Sequence, residues 1–113
     1  MPDSEIEIDY DMKPAELAEA ILDASQGHLK VKEVDRLTGR IGATYRLGMG
    51  KVMEVLFIIS KNGEGSRLKV EVTAKVAPIM YEIRGGLANK AQGDILRIFN
   101  ESNRFRTSSS TGW

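Results

Sequence analysis

Ile6, Ile8 and Tyr10 alternate with Glu5, Glu7 and Asp9, which is the period-two pattern of a strand with one wet face, and residues 4–10 are predicted as that strand. The period then changes. Pro14 suits the first position of a helix, where no N–H is needed, and Glu16 and Glu19 favour the positive end of the helix dipole. Leu17, Ile21 and Ala24 follow one turn apart, so a helix is predicted over 14–25, ended by Gly27.

For some fifty residues afterwards the period is two again. Leu29 and Val31 alternate with Lys30 and Lys32; Thr38-Gly39 marks a turn; Ile41, Ala43, Tyr45 and Leu47 alternate with Gly42, Thr44 and Arg46. Gly48-Met49-Gly50 reverses the chain into Val52–Ser60, and the polar stretch 61–66 reverses it again into Leu68, Val70, Val72, Ala74 and Val76. Four strands joined by short turns predict an antiparallel meander. Pro78 ends it, and residues 79–83 fit a short strand and a helical lead-in equally well. From Leu87 onward, Leu87, Ala91, Ile95, Ile98 and Phe99 recur at helical spacing, which predicts a helix over 87–103. Gly93 inside that helix suggests close approach to another backbone, and residues 107–113, rich in serine and threonine, read as a loose tail.

The order is therefore β-α-β-β-β-β-α. It implies an α+β, two-layer fold with a mainly antiparallel sheet of about five strands and both helices on one face, in a single domain over residues 1–106. With its strand ladder over residues 40–76, Arg-Ile-Gly-Ala-Thr-Tyr through Leu-Lys-Val-Glu-Val-Thr, followed by a closing helix, the chain resembles helix-grip domains of the START and Bet v 1 type. That resemblance implies a closing helix across a curved sheet, with hydrophobic ligands held between them. The same element order also resembles one half of a TATA-binding-protein-like fold, which implies an open sheet face used for partners.

Composition narrows the chemistry. Among 113 residues there is no cysteine and one histidine, which removes thiolate catalysis, zinc-thiolate sites, iron–sulfur clusters and most imidazole metal sites. No metal or other cofactor is expected. The amino-terminal stretch has neither the positive nor the long apolar region of a secretory signal, and the longest apolar run, Val55–Ile59, is far too short to cross a bilayer. A cytoplasmic protein without a membrane partner is the expectation, and lack of cysteine suits a reducing compartment. Residues 1–27 hold eight acids and one base, a net of −7, balanced by +7 over residues 28–113. An acidic strand and helix lying against a basic sheet account for that polarity.

Several candidates for chemistry also have ordinary structural roles. His28 suits the end of a helix better than a general base, because no serine or acid motif accompanies it. Glu5, Glu7, Asp9 and Asp11 would stand about 7 Å apart along one strand, pointing in parallel, which does not converge on a cation. Gly48-Met49-Gly50-Lys51 lacks the spacing of a phosphate-binding loop and joins two strands, so it reads as a hairpin turn. Gly85 and Gly86 before the second helix, with Asn89 and Lys90 in its first turn, form a candidate anion site from free backbone N–H groups and a lysine. No nucleophile–base pair is visible, so no catalytic residue is assigned.

The central strand is the most informative. If Met53, Val55, Phe57 and Ile59 face the helices, Val52, Leu56 and Ile58 face the other side, which a two-layer fold leaves open. Thr44 and Arg46 would flank them on one side and Lys69, Glu71, Thr73 and Lys75 on the other, with Lys30 and Lys32 farther out. This describes an apolar centre ringed by basic residues, suited to a homodimer or to another protein partner. Nucleic acid is the weaker fit, since that face lacks stacking aromatics and the net charge is zero. The alternative is a carrier that holds a hydrophobic molecule between closing helix and sheet, lined by Tyr45, Met53, Phe57, Ile95 and Phe99.

Overall fold

A computed structural model describes residues 1–105; the expected tail over 107–113 lies outside them. The strands are Ser4–Tyr10 (β1), Lys30–Asp35 (β2), Arg40–Gly48 (β3), Lys51–Asn62 (β4) and Gly65–Lys75 (β5), and the helices are Pro14–Ser25 (α1) and Arg84–Glu101 (α2). All neighbours pair antiparallel in the order β1-β5-β4-β3-β2. The long hairpins keep sequential strands adjacent, while α1 carries the chain from one sheet edge, β1, to the other, β2.

Alternation decides which face is covered. Ile6, Val70, Phe57, Ile41 and Val34 occupy one row across the sheet by register, on the side where both helices pack. From α1 come Leu17, Ala20, Ile21 and Ala24, and from α2 Ala88, Ala91, Ile95 and Phe99, all buried. The rings of Phe99 and Phe57 are 5.4 Å apart, Phe105 stacks on Phe99 at 4.9 Å, and Tyr10 meets Phe105 edge-on at 5.3 Å. Each large side chain buried in this way contributes about 1.5–3 kcal/mol relative to exposure.

Two buried hydroxyls anchor the links. Ser66 Oγ donates to the Met12 carbonyl (2.7 Å), holding the β1–α1 connection against β5, and Ser25 Oγ donates to Ile21 (2.7 Å) inside α1. Gly39, in the β2–β3 turn, has a φ of +72°, and a Cβ there would collide with the Ile59 carbonyl. The Ile59 N–H donates to the Gly39 carbonyl at 2.7 Å, so the turn is pinned against β4.

Three expectations need correction, and the open reading of residues 79–83 resolves to the helical lead-in. The α2 helix starts at Arg84, three residues before the first strongly apolar position, so Gly85 and Gly86 lie in its first turn. Residues Pro78–Ile83 form a 3-10 helix that runs directly into α2; its side chains cover no core, which is why no apolar period announces it. Gly93 meets nothing within 4 Å, so no backbone approaches it. Finally, a bulge between Val31 and Glu33 puts Glu33, not Lys32, opposite Gly42.

Candidate functional site

The side of the sheet away from the helices is built in rows set by the pairing. One row runs Glu7, Lys69, Ile58, Arg40; the next runs Glu5, Glu71, Leu56, Gly42, Glu33. Below them come Thr73, Glu54, Thr44 and Lys30, and then Lys75, Val52 and Arg46. Val52, Leu56 and Ile58 are half-buried on this face, as the alternation requires. The Glu33 side chain lies against Gly42, its Cγ 3.2 Å from where a Cβ would stand, and beside Leu56 a shallow concavity of about 420 Å³ lies between Lys32, Glu33, Glu54, Glu71 and Thr73.

The rim is not the basic ring anticipated from sequence. Glu54, Glu33 and the β1 acids Glu5 and Glu7 share the face with the lysines and arginines. Lys69 sits 3.7 Å from both Glu5 and Glu71, and Lys75 3.8 Å from Glu54. Arg67 lies 2.9 Å from Asp9 and 3.8 Å from Glu7, and its hydrogen bond holds the Asp9 carboxyl below the ordinary carboxylate range. Glu54 was legible, since it falls between Val52 and Leu56 in the same alternation. Glu33 was not, because a bulge leaves no mark in a pattern of polar residues.

The five residues considered for a ligand between helix and sheet do converge. Met53, Phe57, Ile95 and Phe99 have no exposed surface, and they fill the space with one another. Tyr45 stands at their border, where its hydroxyl donates to Asp94 Oδ2 at 2.9 Å. Burial, and then the Asp94 carboxylate, push the Tyr45 phenol up from its ordinary value. Asp94 also accepts from Arg97 and lies 3.6 Å from Lys90, while Ser4 donates to Gln92 on the same helix. These polar contacts clamp α2 to β1 and β3.

A separate cleft of about 360 Å³ opens on the helix side, between the start of α1 and the β2–β3 turn. Pro14, Ala15, Ala18, Val34, Ile41 and Ile59 line it. Neither α1 nor the turn showed this from sequence, because the cleft depends on how far apart they sit. Of the anion group, Asn89 and Lys90 are exposed, but α2 continues from the 3-10 helix, and the Arg84 N–H already donates to Tyr81. A helix entered from another helix has fewer orphan donors than one that begins free. His28 is exposed just past α1, its N–H donating to Ser25 at 3.0 Å.

No protein-family model matches this chain, and no curated protein matches it in sequence. Solved structures do match. The Bet v 1-like protein Ara h 8.0201 superposes with a TM-score of 0.59 at 16% identity, covering 86% of this chain and 94% of that one. TTHA0849 from Thermus thermophilus gives 0.60 at 14% identity, over 94% of this chain and 98% of that one. CalU16 from Micromonospora echinospora gives 0.51 at 18%, over 94% and 85%. The fold is helix-grip-like. At such identities the likeness extends to the arrangement of strands and helices, and a shared arrangement does not carry a function with it.

One surface went unnoticed in the sequence. Met49 in the β3–β4 turn and Ile79, Tyr81 and Ile83 in the 3-10 helix are all exposed. The only hint was that residues 79–83, apolar but for Glu82, do not match the period of any core-facing element.

Proposed function

We propose that this protein is a non-enzymatic interaction module that uses the open face of its sheet to bind a second copy of itself or another protein. The observation that supports the reading is the position of Val52, Leu56 and Ile58: they line the centre of a sheet face over which no described element packs, next to the concavity at Gly42. Covering such residues removes apolar area from water, and the alternating acids and bases around them offer a polar rim to a matching partner. Burying a lysine at that centre without a counter-charge opposes association.

Sedimentation of the parent and of Leu56→Lys/Ile58→Lys tests this. The parent should run above its monomer mass, or carry a cross-linkable partner, and the variant should lose that association with its helix and strand content unchanged. If both run as monomers and no partner is lost, the reading fails. A second reading, a carrier of an apolar small molecule, is favoured by the cleft beside α1, and the filled space between α2 and the sheet speaks against a ligand held there.

A further inference from the structure

We propose that the end of the sheet formed by the β3–β4 turn and the 3-10 helix docks on an anionic lipid surface. Four apolar side chains project there: Met49 is 95% exposed, Ile79 90%, Tyr81 52% and Ile83 52%. Exposed apolar side chains scattered singly are ordinary, but these four share one end of the molecule. Val52 pairs with Lys75 and Gly48 with Lys51, so the chain leaving β5 reaches the level of the Met49 turn as it enters the 3-10 helix. The far end of that helix is held back at the sheet by Arg84, which lies 3.3 Å from Asp3, whose other oxygen accepts the Ala74 N–H at 2.9 Å. Arg84 also covers the Tyr81 ring at 5.1 Å.

Charge selects the partner. Residues 46–52 and 75–85 contain four bases, Arg46, Lys51, Lys75 and Arg84, against one acid, Glu82. Lys75 is 3.8 Å from Glu54 and Arg84 is matched by Asp3, whereas Arg46 and Lys51 form no ion pair among the described residues. A two-fold contact through this end would bring four unpaired bases, Arg46 and Lys51 of each copy, into one interface with only the two Glu82 side chains to offset them, which disfavours a second copy as the occupant. A rigid protein partner needs a complementary surface, while separate side chains projecting from two turns suit a fluid one, into which they insert independently. Aliphatic tips would enter the acyl boundary, Tyr81 would rest at headgroup level, and the bases would meet anionic headgroups. The expectation of no membrane partner came from the lack of a spanning segment, and among the described residues no helix is long and apolar enough to cross a membrane. Contact by short turns at the surface needs no such helix.

Co-sedimentation with vesicles of phosphatidylcholine alone, and of phosphatidylcholine mixed equally with phosphatidylglycerol, tests the proposal. The parent should pellet with the mixed vesicles, less so as salt is raised, and much less with phosphatidylcholine alone. Ile79→Ser/Ile83→Ser should abolish pelleting. Arg46→Gln/Lys51→Gln should weaken it on the order of twentyfold, at roughly fivefold per basic residue near the surface. Leu37→Ser, in the β2–β3 turn at the opposite end of the sheet and 99% exposed, should leave it unchanged, which separates this end from apolar exposure elsewhere. All of these positions are at least partly exposed, and an unchanged thermal midpoint confirms that each variant is folded. Absence of pelleting by the parent, or pelleting indifferent to both tip variants, overturns the proposal. So does a parent dimer that becomes monomeric on Ile79→Ser/Ile83→Ser, since the end would then be an interface between copies.

Discussion

Tyr10 and Tyr45 show how position alone sets the chemistry of identical side chains. Burial against Phe105 pushes the Tyr10 phenol above its ordinary 10.0, and burial with the neighbouring Asp94 does the same to Tyr45. A folded-state value raised above the unfolded one means that stability is complete below about pH 10 and declines as pH rises through the folded value, because the unfolded chain releases its proton first. The thermal midpoint should therefore hold steady through neutral pH and fall from about pH 10 upward. Tyr10→Phe should flatten part of that fall. An alkaline decline that is identical in the variant would show that Tyr10 does not contribute to it. In the sequence Tyr10 was legible as an inward position of β1, but its contact with Phe105 joins residues ninety-five positions apart and left no local sign.

At the level of elements, glycines separate what backbone geometry requires from what it tolerates. Gly39 combines a positive φ with a carbonyl where a Cβ would stand, whereas Gly93 lies exposed in α2 with open space around it. Gly39→Ala should cost about 2 kcal/mol or more, and Gly93→Ala should add about 0.5–1 kcal/mol by favouring the helix. Urea midpoints at equal slope would measure both, and a stabilising Gly39→Ala would contradict the turn geometry. The five strands and two helices were all readable, since all but β2 bury one face and expose the other along a regular period, and β2 still shows Leu29 and Val31 alternating with lysines before its bulge. The start of α2 was not. Its first turn and the preceding 3-10 helix bury almost nothing, so the apolar period begins only at Leu87, a full turn after the helix itself.

Across the whole molecule, the split between an acidic beginning and a basic remainder becomes a set of contacts. Glu19 meets Arg36, Asp23 meets Arg104, Asp3 meets Arg84, and the β1 acids meet Arg67 and Lys69. Apart from the half-buried Asp3, the acids in these pairs are exposed, so each pair adds little on its own, but together they offset the opposed charges of the two parts of the chain. The cleft beside α1 lies within this frame, and a ligand held there would stabilise the folded state by mass action. Thermal midpoints measured with medium-chain fatty acids or isoprenoid alcohols should rise with concentration if the carrier reading holds, and Ala18→Phe, which places a ring in the cleft, should abolish the rise. No shift with any of them would remove that reading.

The sequence by itself determined the element order, the side of each strand that meets the helices except past the bulge in β2, and the absence of thiol chemistry, because periodicity and composition are local properties of the chain. Only the tertiary structure decided that Phe57 and Phe99 fill the space under α2, that a concavity lies beside Leu56 and Gly42 on the other face, and that the Met49 turn and the 3-10 helix share one end. Each of these depends on distances between segments remote in sequence, and packing, not pattern, sets those distances.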